Sequence, residues 1–211
     1  MTERVQRTAR VYDKIAPHYA EQEAGESPSD EIEKFTTLLL PHGHILDAGC
    51  GIGRDLNTFF NRGFSGFGID VSKRLLTIAM KLHPHLPFEL ADIRNMPQFP
   101  DAGFDGIWAH ESFHHLERQD MPTTLLEWQR ILKPEGVVYI SAKRGQGEVT
   151  VREEKSGGQP REYTLLEPEE LRTMFTQTGF EQIELYTFNE QERKEHGRDL
   201  EWLCAFYRKA Y

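Results

Sequence analysis

The chain has 211 residues, with 34 Asp plus Glu against 25 Lys plus Arg and a formal net charge of -9. That length suits one domain with a sizeable core, and the acidic balance works against broad, non-specific nucleic-acid binding. Two cysteines, Cys50 and Cys204, exclude a disulfide framework, and no secretory signal or membrane-length apolar run stands out, so a cytoplasmic protein that stays out of the membrane is expected.

Residues 4–22 read as an amphipathic helix with Val5, Ala9, Tyr12, Ala16 and Tyr19 on one face, interrupted by Pro17. A polar linker from Glu23 to Ser29 follows. Ser29 or Asp30 is placed to cap a second helix, which Pro41 and Gly43 stop near Leu40. His44 to Ala48 is a short apolar run ending in glycines, the pattern of a buried parallel strand. Helices at Arg54–Asn61 and Ser72–Leu82 then alternate with strands at Phe64–Ile69, Phe88–Ala91 and Phe104–Ala109. A helix at Asp120–Leu132 and a strand at Gly136–Ala142 complete the alternation, which predicts crossovers and a mostly parallel sheet.

The last third breaks that rhythm. Gln146 to Arg161 is charged, with no clear period, and reads as a loop or loose hairpin. Glu167–Thr178 is a helix whose acidic start suits the helix dipole. Phe180–Phe188 and Leu200–Tyr207 are strands separated by the polar stretch Asn189–Arg198, so an antiparallel hairpin is expected to end the sheet.

The strongest chemical signal is the strand-to-helix turn Ile45-Leu-Asp-Ala-Gly-Cys-Gly-Ile-Gly53. Glycines there permit a tight turn and let a ligand approach the backbone. In a dinucleotide fingerprint the third glycine comes one residue later, where this chain has Arg54. Asp47 would repel a pyrophosphate and suit an ammonium or sulfonium, and Asp70, ending the second strand, is placed to accept from both hydroxyls of a ribose.

Five motifs in register, Asp47-Ala-Gly-Cys-Gly-Ile-Gly53, Gly68-Ile-Asp70, Ala91-Asp-Ile93, Phe104-Asp-Gly-Ile-Trp-Ala109 and Arg130-Ile-Leu-Lys-Pro-Glu-Gly136, resemble those of the class I S-adenosylmethionine-dependent methyltransferases, type-11 branch. The resemblance runs over roughly residues 11 to 208. It implies an α/β, Rossmann-like, doubly wound seven-stranded sheet, mostly parallel with a C-terminal antiparallel hairpin strand and helices on both faces. It also implies S-adenosylmethionine as methyl donor, with S-adenosylhomocysteine as product. Gly49, Gly51 and Gly53 would line its methionine and ribose, Asp70 would hold the ribose, and Asp92 and Ile93 the adenine. Ala109 would offer its carbonyl to the ammonium, and Tyr12 and Tyr19 match the branch's N-terminal lid segment. On this reading one domain comprises lid helices at 1–40, a cofactor-binding core at 44–145 and a substrate-side segment at 146–211.

His110-Glu-Ser-Phe-His114 is also a literal zinc-protease signature, but that motif needs a helix and here follows a strand, so no metal is expected. In the family the segment after the fourth strand faces the donor methyl. His110, Glu111, His114 and His115 are therefore candidates for a general base or substrate contact, with His110 and Glu111 preferred for catalysis, His114 for the acceptor, and His114-His115-Leu116 also resembling a structural turn. Lys143, Arg161 and Arg198, the last near Trp202, are expected to converge on an acceptor bearing carboxylate or phosphate. The acceptor itself is expected to be a small molecule. Two rival readings are a nicotinamide oxidoreductase, which the glycine spacing and Asp47 oppose, and a non-catalytic S-adenosylmethionine-binding protein, which the same motifs fit.

Overall fold

A computed structural model of the chain describes residues 2–23, 25, 27–152, 156–193 and 198–210. Seven strands form one sheet: β1 (His44–Ala48), β2 (Ser65–Asp70), β3 (Phe88–Leu90), β4 (Phe104–Ala109), β5 (Leu132–Lys143), β8 (Phe180–Asn189) and β9 (Glu201–Lys209). Their spatial order is β3-β2-β1-β4-β5-β9-β8. β1 to β5 run parallel, and β9 lies antiparallel to both β5 and β8. The doubly wound sheet and its C-terminal hairpin strand are thus as expected. The order reverses between β1 and β4, and a crevice forms outside the carboxyl ends of strands at such a switch.

The central strands are buried on both sides, which is why they read as apolar runs. Leu46, Ala48, Ile107 and Ile140 face helices α5 (Met121–Ile131) and α6 (Pro168–Gln177), where Trp128 and Phe175 fill the core. Ile45, Trp108, Tyr139 and Phe206 face α2 (Ser29–Thr37) and α3 (Arg54–Asn61) through Phe35 and Phe59. Helix α4 (Lys73–Leu82) starts at Ser72, whose hydroxyl accepts from the Leu75 amide.

The N-terminal helix α1 (Glu3–Gln22) passes through Pro17 without a break, contrary to expectation. Pro17 lies on the exposed side, while Val5, Ala9, Ile15 and Ala16 are buried, so packing outweighs one lost helical bond. Asp13 anchors the helix further, accepting from the Ser72 hydroxyl and the Arg74 amide at the start of α4. In α2 the capping position is Pro28 and Ser29 is already helical, so neither expected residue caps it.

The charged segment after β5 is more ordered than its composition suggests. β6 (Glu148–Arg152) and β7 (Pro160–Thr164) pair antiparallel as a separate two-stranded sheet, and residues 153–155 lie outside the described residues. Arg4 pairs with Glu148, Arg7 with Glu162 and Lys14 with Gln159, so this hairpin and α1 hold each other. A short helix α7 (Glu190–Arg193) follows β8, and residues 194–197 of the polar stretch lie outside the described residues. Among the described residues, no helix is long and apolar enough to cross a membrane.

Candidate active site

The glycine loop leaves β1 at the switch point and forms the floor of a cleft of about 680 Å³, counted out to the solvent boundary. Gly49, Gly51 and Gly53 all have positive φ, at 93°, 54° and 79°, but for different reasons. A Cβ on Gly49 would sit 2.4 Å from the Ser112 Cβ, and one on Gly53 would sit 2.6 Å from the Phe88 ring. Only at Gly51 is the space open, the nearest atom being Tyr19 Cε1 at 3.8 Å. Gly49 and Gly51 line the cleft, whereas Gly53 packs against Phe88, which corrects the expectation that all three would face a ligand.

Asp70 braces this loop. Its Oδ2 accepts the Gly51 amide at 3.0 Å and its Oδ1 the Ser72 amide at 2.8 Å, so one carboxylate ties the glycine loop to α4 while lining the cleft. Burial pushes its carboxyl above the ordinary range, against the pull of those amides. Asp92 and Ile93 line the far end. The Asp92 carboxylate is gripped by Arg94 through Nε at 2.9 Å and Nη2 at 2.6 Å, a commitment the sequence did not suggest. Ala109 is fully buried and lines none of the cavities described here. It belongs to the interior of the sheet, and the role expected of it finds no cleft to act in.

At Gly49 and Gly51 the cleft continues into a cavity of about 430 Å³ lined by Tyr19, Asp47, Arg54, Asp55 and His110, among others. Asp47 is only 3% exposed there, and its Oδ2 has no hydrogen-bond partner among the described residues. Burial above all, and then the charge of Asp55, hold its carboxyl well above the usual range. A buried, unmatched carboxylate oxygen on a cavity fits a ligand carrying an ammonium group.

Tyr12 and Tyr19 reach the cleft from α1, their rings edge-on at 5.4 Å. The Tyr12 hydroxyl lies 3.0 Å from His115 Nε2, and His115 Nδ1 lies 3.0 Å from the Glu162 carbonyl on β7. The first helix is thereby bonded, through one histidine, to the hairpin on the other side.

His110 and Glu111 follow β4 and line the cleft, the loop cavity and a larger cavity of about 1400 Å³. His110 is 18% exposed, with Nδ1 3.0 Å from Asp55 Oδ2 and Nε2 3.7 Å from Glu111 Oε1. Burial lowers the imidazole pKa, but the hydrogen bond and charge of Asp55 outweigh it, and the net shift is upward. Asp55, in the first turn of α3, also accepts from Trp108 Nε1 at 2.9 Å. Sequence reasoning missed this residue, and its one signal was an acid directly after the Gly53-Arg54 turn. Glu111 has a positive φ of 53°, and its amide donates to the Ser141 hydroxyl at 2.9 Å.

The zinc-signature residues do not share a helical face. A 3-10 turn at Phe113–His115 carries His114 into the core, 1% exposed, where Nδ1 accepts the Lys143 amide at 3.1 Å. Burial first, then the charges of His115 and Lys143, hold it neutral. His114 lines none of these cavities and is a structural ring rather than the acceptor contact expected.

Lys143, Arg161 and Arg198 do not converge either. The Lys143 ammonium is buried, 4.6 Å from the Trp202 ring centroid and 4.9 Å from that of Tyr163. Arg161, its guanidinium 5.7 Å from the Tyr163 ring centroid, lies in a groove between α1 and β7 and bonds to Tyr12. Arg198 pairs with Glu190 at 2.9 Å on the wall of the 1400 Å³ cavity. Arg161 and Arg198 line different cavities and Lys143 is buried against aromatic rings, so the three do not share one of these pockets.

Residues 46–140 match the family model described as a methyltransferase domain. The chain is 32% identical over 127 residues to methyltransferase GfsG of Streptomyces halstedii, covering 56% of this chain and 44% of that relative. It spans about half or less of the length of the curated relatives it matches. A Methanosarcina mazei S-adenosylmethionine-dependent methyltransferase superposes with a TM-score of 0.74 at 18% identity, over 84% of this chain and 97% of that one. The Burkholderia thailandensis 1,6-didemethyltoxoflavin-N1-methyltransferase, solved with 1,6-didemethyltoxoflavin and S-adenosylhomocysteine, superposes with a TM-score of 0.69 at 19% identity, over 96% and 88%. At that identity these likenesses speak for the fold.

Proposed function

We propose that this chain, whose residues 46–140 match the methyltransferase-domain model, is a class I S-adenosylmethionine-dependent methyltransferase that transfers a methyl group to a small molecule seated beside His110. The observation that carries the reading is one continuous cleft at the β1/β4 switch, with Asp70 bracing an open glycine at its floor and the unmatched Asp47 oxygen at one end. When bound, S-adenosylmethionine supplies an electrophilic methyl group on a positively charged sulfur.

Asp47 would hold its ammonium, Asp70 its ribose hydroxyls, and Asp92 and Ile93 would flank its adenine. Tyr12 and Tyr19 close the cleft from α1, so the helices at 1–40 act as a lid over the core at 44–145. The acceptor enters through the 1400 Å³ cavity, whose wall belongs mostly to α2 and the C-terminal segment. Tyr139, Phe188 and Trp202 give that cavity aromatic walls. Its Arg193 and Arg198 pair with Glu31 and Glu190, and Glu23, Asp30 and Glu111 leave acids in excess on its wall. An uncharged, partly aromatic acceptor suits that wall better than the carboxylate or phosphate first expected, and the similarly folded Burkholderia enzyme is a small-molecule methyltransferase, solved with 1,6-didemethyltoxoflavin. With the donor already activated, what remains for the chain is alignment, water exclusion and proton removal.

Calorimetry with S-adenosylmethionine and S-adenosylhomocysteine tests the reading. Both should bind at micromolar affinity, and Asp70→Ala should weaken binding tenfold or more, as expected for losing charge-assisted bonds of about 1.5–3 kcal/mol each. Binding of NADH in their place would sink it. Donor binding with no turnover on any acceptor would leave a binding protein instead of an enzyme.

A further inference from the structure

An acid in the first turn of a helix ordinarily serves the helix dipole. Asp55 instead points inward, 6% exposed, bonded by two fixed donors, Arg54 and Trp108, and by the His110 ring, which can donate. Trp108 Nε1 donates to Oδ2 at 2.9 Å, His110 Nδ1 lies 3.0 Å from the same oxygen, and Arg54 Nε donates to Oδ1 at 2.8 Å. Three donors on two oxygens are satisfied by an ionised carboxylate. Burial pushes the Asp55 carboxyl up, but His110 and Arg54 overcome it and hold it well below the carboxylate range.

We propose that Asp55 positions His110 in the Nδ1–H tautomer, leaving Nε2 as the proton acceptor for an O–H or N–H nucleophile at the seam between the cleft and the 1400 Å³ cavity. This rests on the methyl-transfer reading above. As the acceptor's oxygen or nitrogen bonds to the methyl carbon, the carbon–sulfur bond breaks and its electron pair stays on sulfur. The acceptor's proton passes to Nε2, and the imidazolium then releases it to water.

The surroundings of His110 agree with that role. Asp55 and Arg54 face it from α3, Asp47 from β1, and Glu111 from its own turn. The Tyr139 ring lies 6.4 Å away on β5, and Trp108 5.8 Å away on β4. Arg54 Nη2 is 3.4 Å from Nδ1, a long contact between two donors once Asp55 fixes the proton there. Without the carboxylate, an Asn at 55 would turn an amide nitrogen toward one of these donors and remove the reason for that tautomer.

Long-range proton–nitrogen NMR on the ¹⁵N-labelled chain, with and without S-adenosylhomocysteine, reads the tautomer directly from pH 5 to 9. Neutral His110 should carry its proton on Nδ1, with a pKa above the ordinary value of about 6.5. In Asp55→Asn the pKa should fall by about one unit or more and the proton move to Nε2. A neutral Nε2–H form in the unaltered chain overturns the proposal without any variant having to fold. So does a folded Asp55→Asn chain with unchanged tautomer and pKa. Failure of the unaltered chain to bind S-adenosylhomocysteine is a separate result, which strikes the methyl-transfer reading alone. Turnover on phenols, amines and carboxylates tests the acceptor class. Rates with phenols or amines should rise with pH through the His110 pKa and drop about a hundredfold or more in Asp55→Asn. Methylation confined to carboxylates, at equal rates in both chains, overturns the assignment.

Discussion

Tyr12 and His115 latch the first helix to the body of the protein, hydroxyl to Nε2 at 3.0 Å with the rings edge-on at 5.4 Å. The Glu162 carbonyl can only accept, so His115 Nδ1 donates to it, Nε2 is bare, and Tyr12 must be the donor across the latch. Arg161 bonds to the same tyrosine from β7. The wall of the cleft is therefore held by a polar chain that crosses α1, the turn after β4 and β7.

Removing that hydroxyl should loosen the wall and spare the core. Tyr12→Phe gives up one hydrogen bond, about 0.5–1.5 kcal/mol, which predicts S-adenosylhomocysteine binding weaker by roughly threefold to tenfold and faster dissociation in stopped flow. The melting temperature should move little. Unaltered affinity and dissociation would place α1 outside the donor site.

His115 also sets a pH dependence. Burial, chiefly, pushes its pKa down to about 3, whereas the unfolded chain protonates it near 6.5. Below that value the unfolded state takes up a proton that the folded state refuses. The stability His115 preserves is complete above about pH 6.5 and is lost as pH falls toward 3, at about 1.4 kcal/mol per pH unit. His114, buried and neutral for the same reason, acts in the same direction. Urea midpoints at pH 5, 6 and 7 should thus fall with acid in the wild-type chain, and more gently in His115→Gln. Parallel slopes would mean that His115 is charged in the folded state.

What the sequence revealed, and what it hid, divides along physical lines. β1, β4 and β5 were legible because a strand buried on both faces must be apolar, and the loop because its backbone needs glycine. Asp55 was hidden because its partners, Trp108 and His110, lie 53 and 55 residues away and only the fold assembles them. His114 was misread because the whole segment after β4 was expected to face the donor methyl, whereas a 3-10 turn after Glu111, itself at a φ of 53°, carries it inward. Lys143, Arg161 and Arg198 looked like a cluster because a sequence shows charges but not the rings of Tyr163 and Trp202 against which Lys143 is buried. The β6–β7 hairpin escaped a definite assignment because β6 is mostly exposed and its ion pairs to α1 join residues far apart in the chain, which no local periodicity records.

Asp47 should couple donor binding to proton release. Burial, above all, pushes its carboxyl up, and an ammonium placed beside it would pull it back toward the charged form. Titrating S-adenosylhomocysteine in phosphate and in Tris should give enthalpies that differ by the heat of buffer protonation. In Asp47→Asn that difference should vanish and affinity should fall about tenfold, near 1.4 kcal/mol. Buffer-independent heats in the wild-type chain would put the ammonium elsewhere.

The glycine loop separates folding from binding within five residues. Alanine at any of its three glycines pays for a left-handed backbone, about 1–2 kcal/mol. At Gly49 and Gly53 the new methyl also meets Ser112 at 2.4 Å and the Phe88 ring at 2.6 Å, neither of which is a free chain end. Both are held in buried surroundings, since the Ser112 hydroxyl bonds to the Ala48 carbonyl and Phe88 packs on Leu76 and Ala79. Gly49→Ala and Gly53→Ala should therefore lower the melting temperature well beyond the backbone cost, by the further 1–3 kcal/mol usual for overpacking. At Gly51 the methyl meets nothing nearer than 3.8 Å, so Gly51→Ala should lose only the backbone cost, a drop of roughly 2–8 °C in melting temperature. Yet that methyl projects into the space a donor would occupy against the loop. S-adenosylhomocysteine affinity in Gly51→Ala should fall at least tenfold while the fold persists. Circular-dichroism melts and calorimetry on the three variants separate the two effects, and a Gly51→Ala chain that binds normally would show that no ligand approaches the loop there.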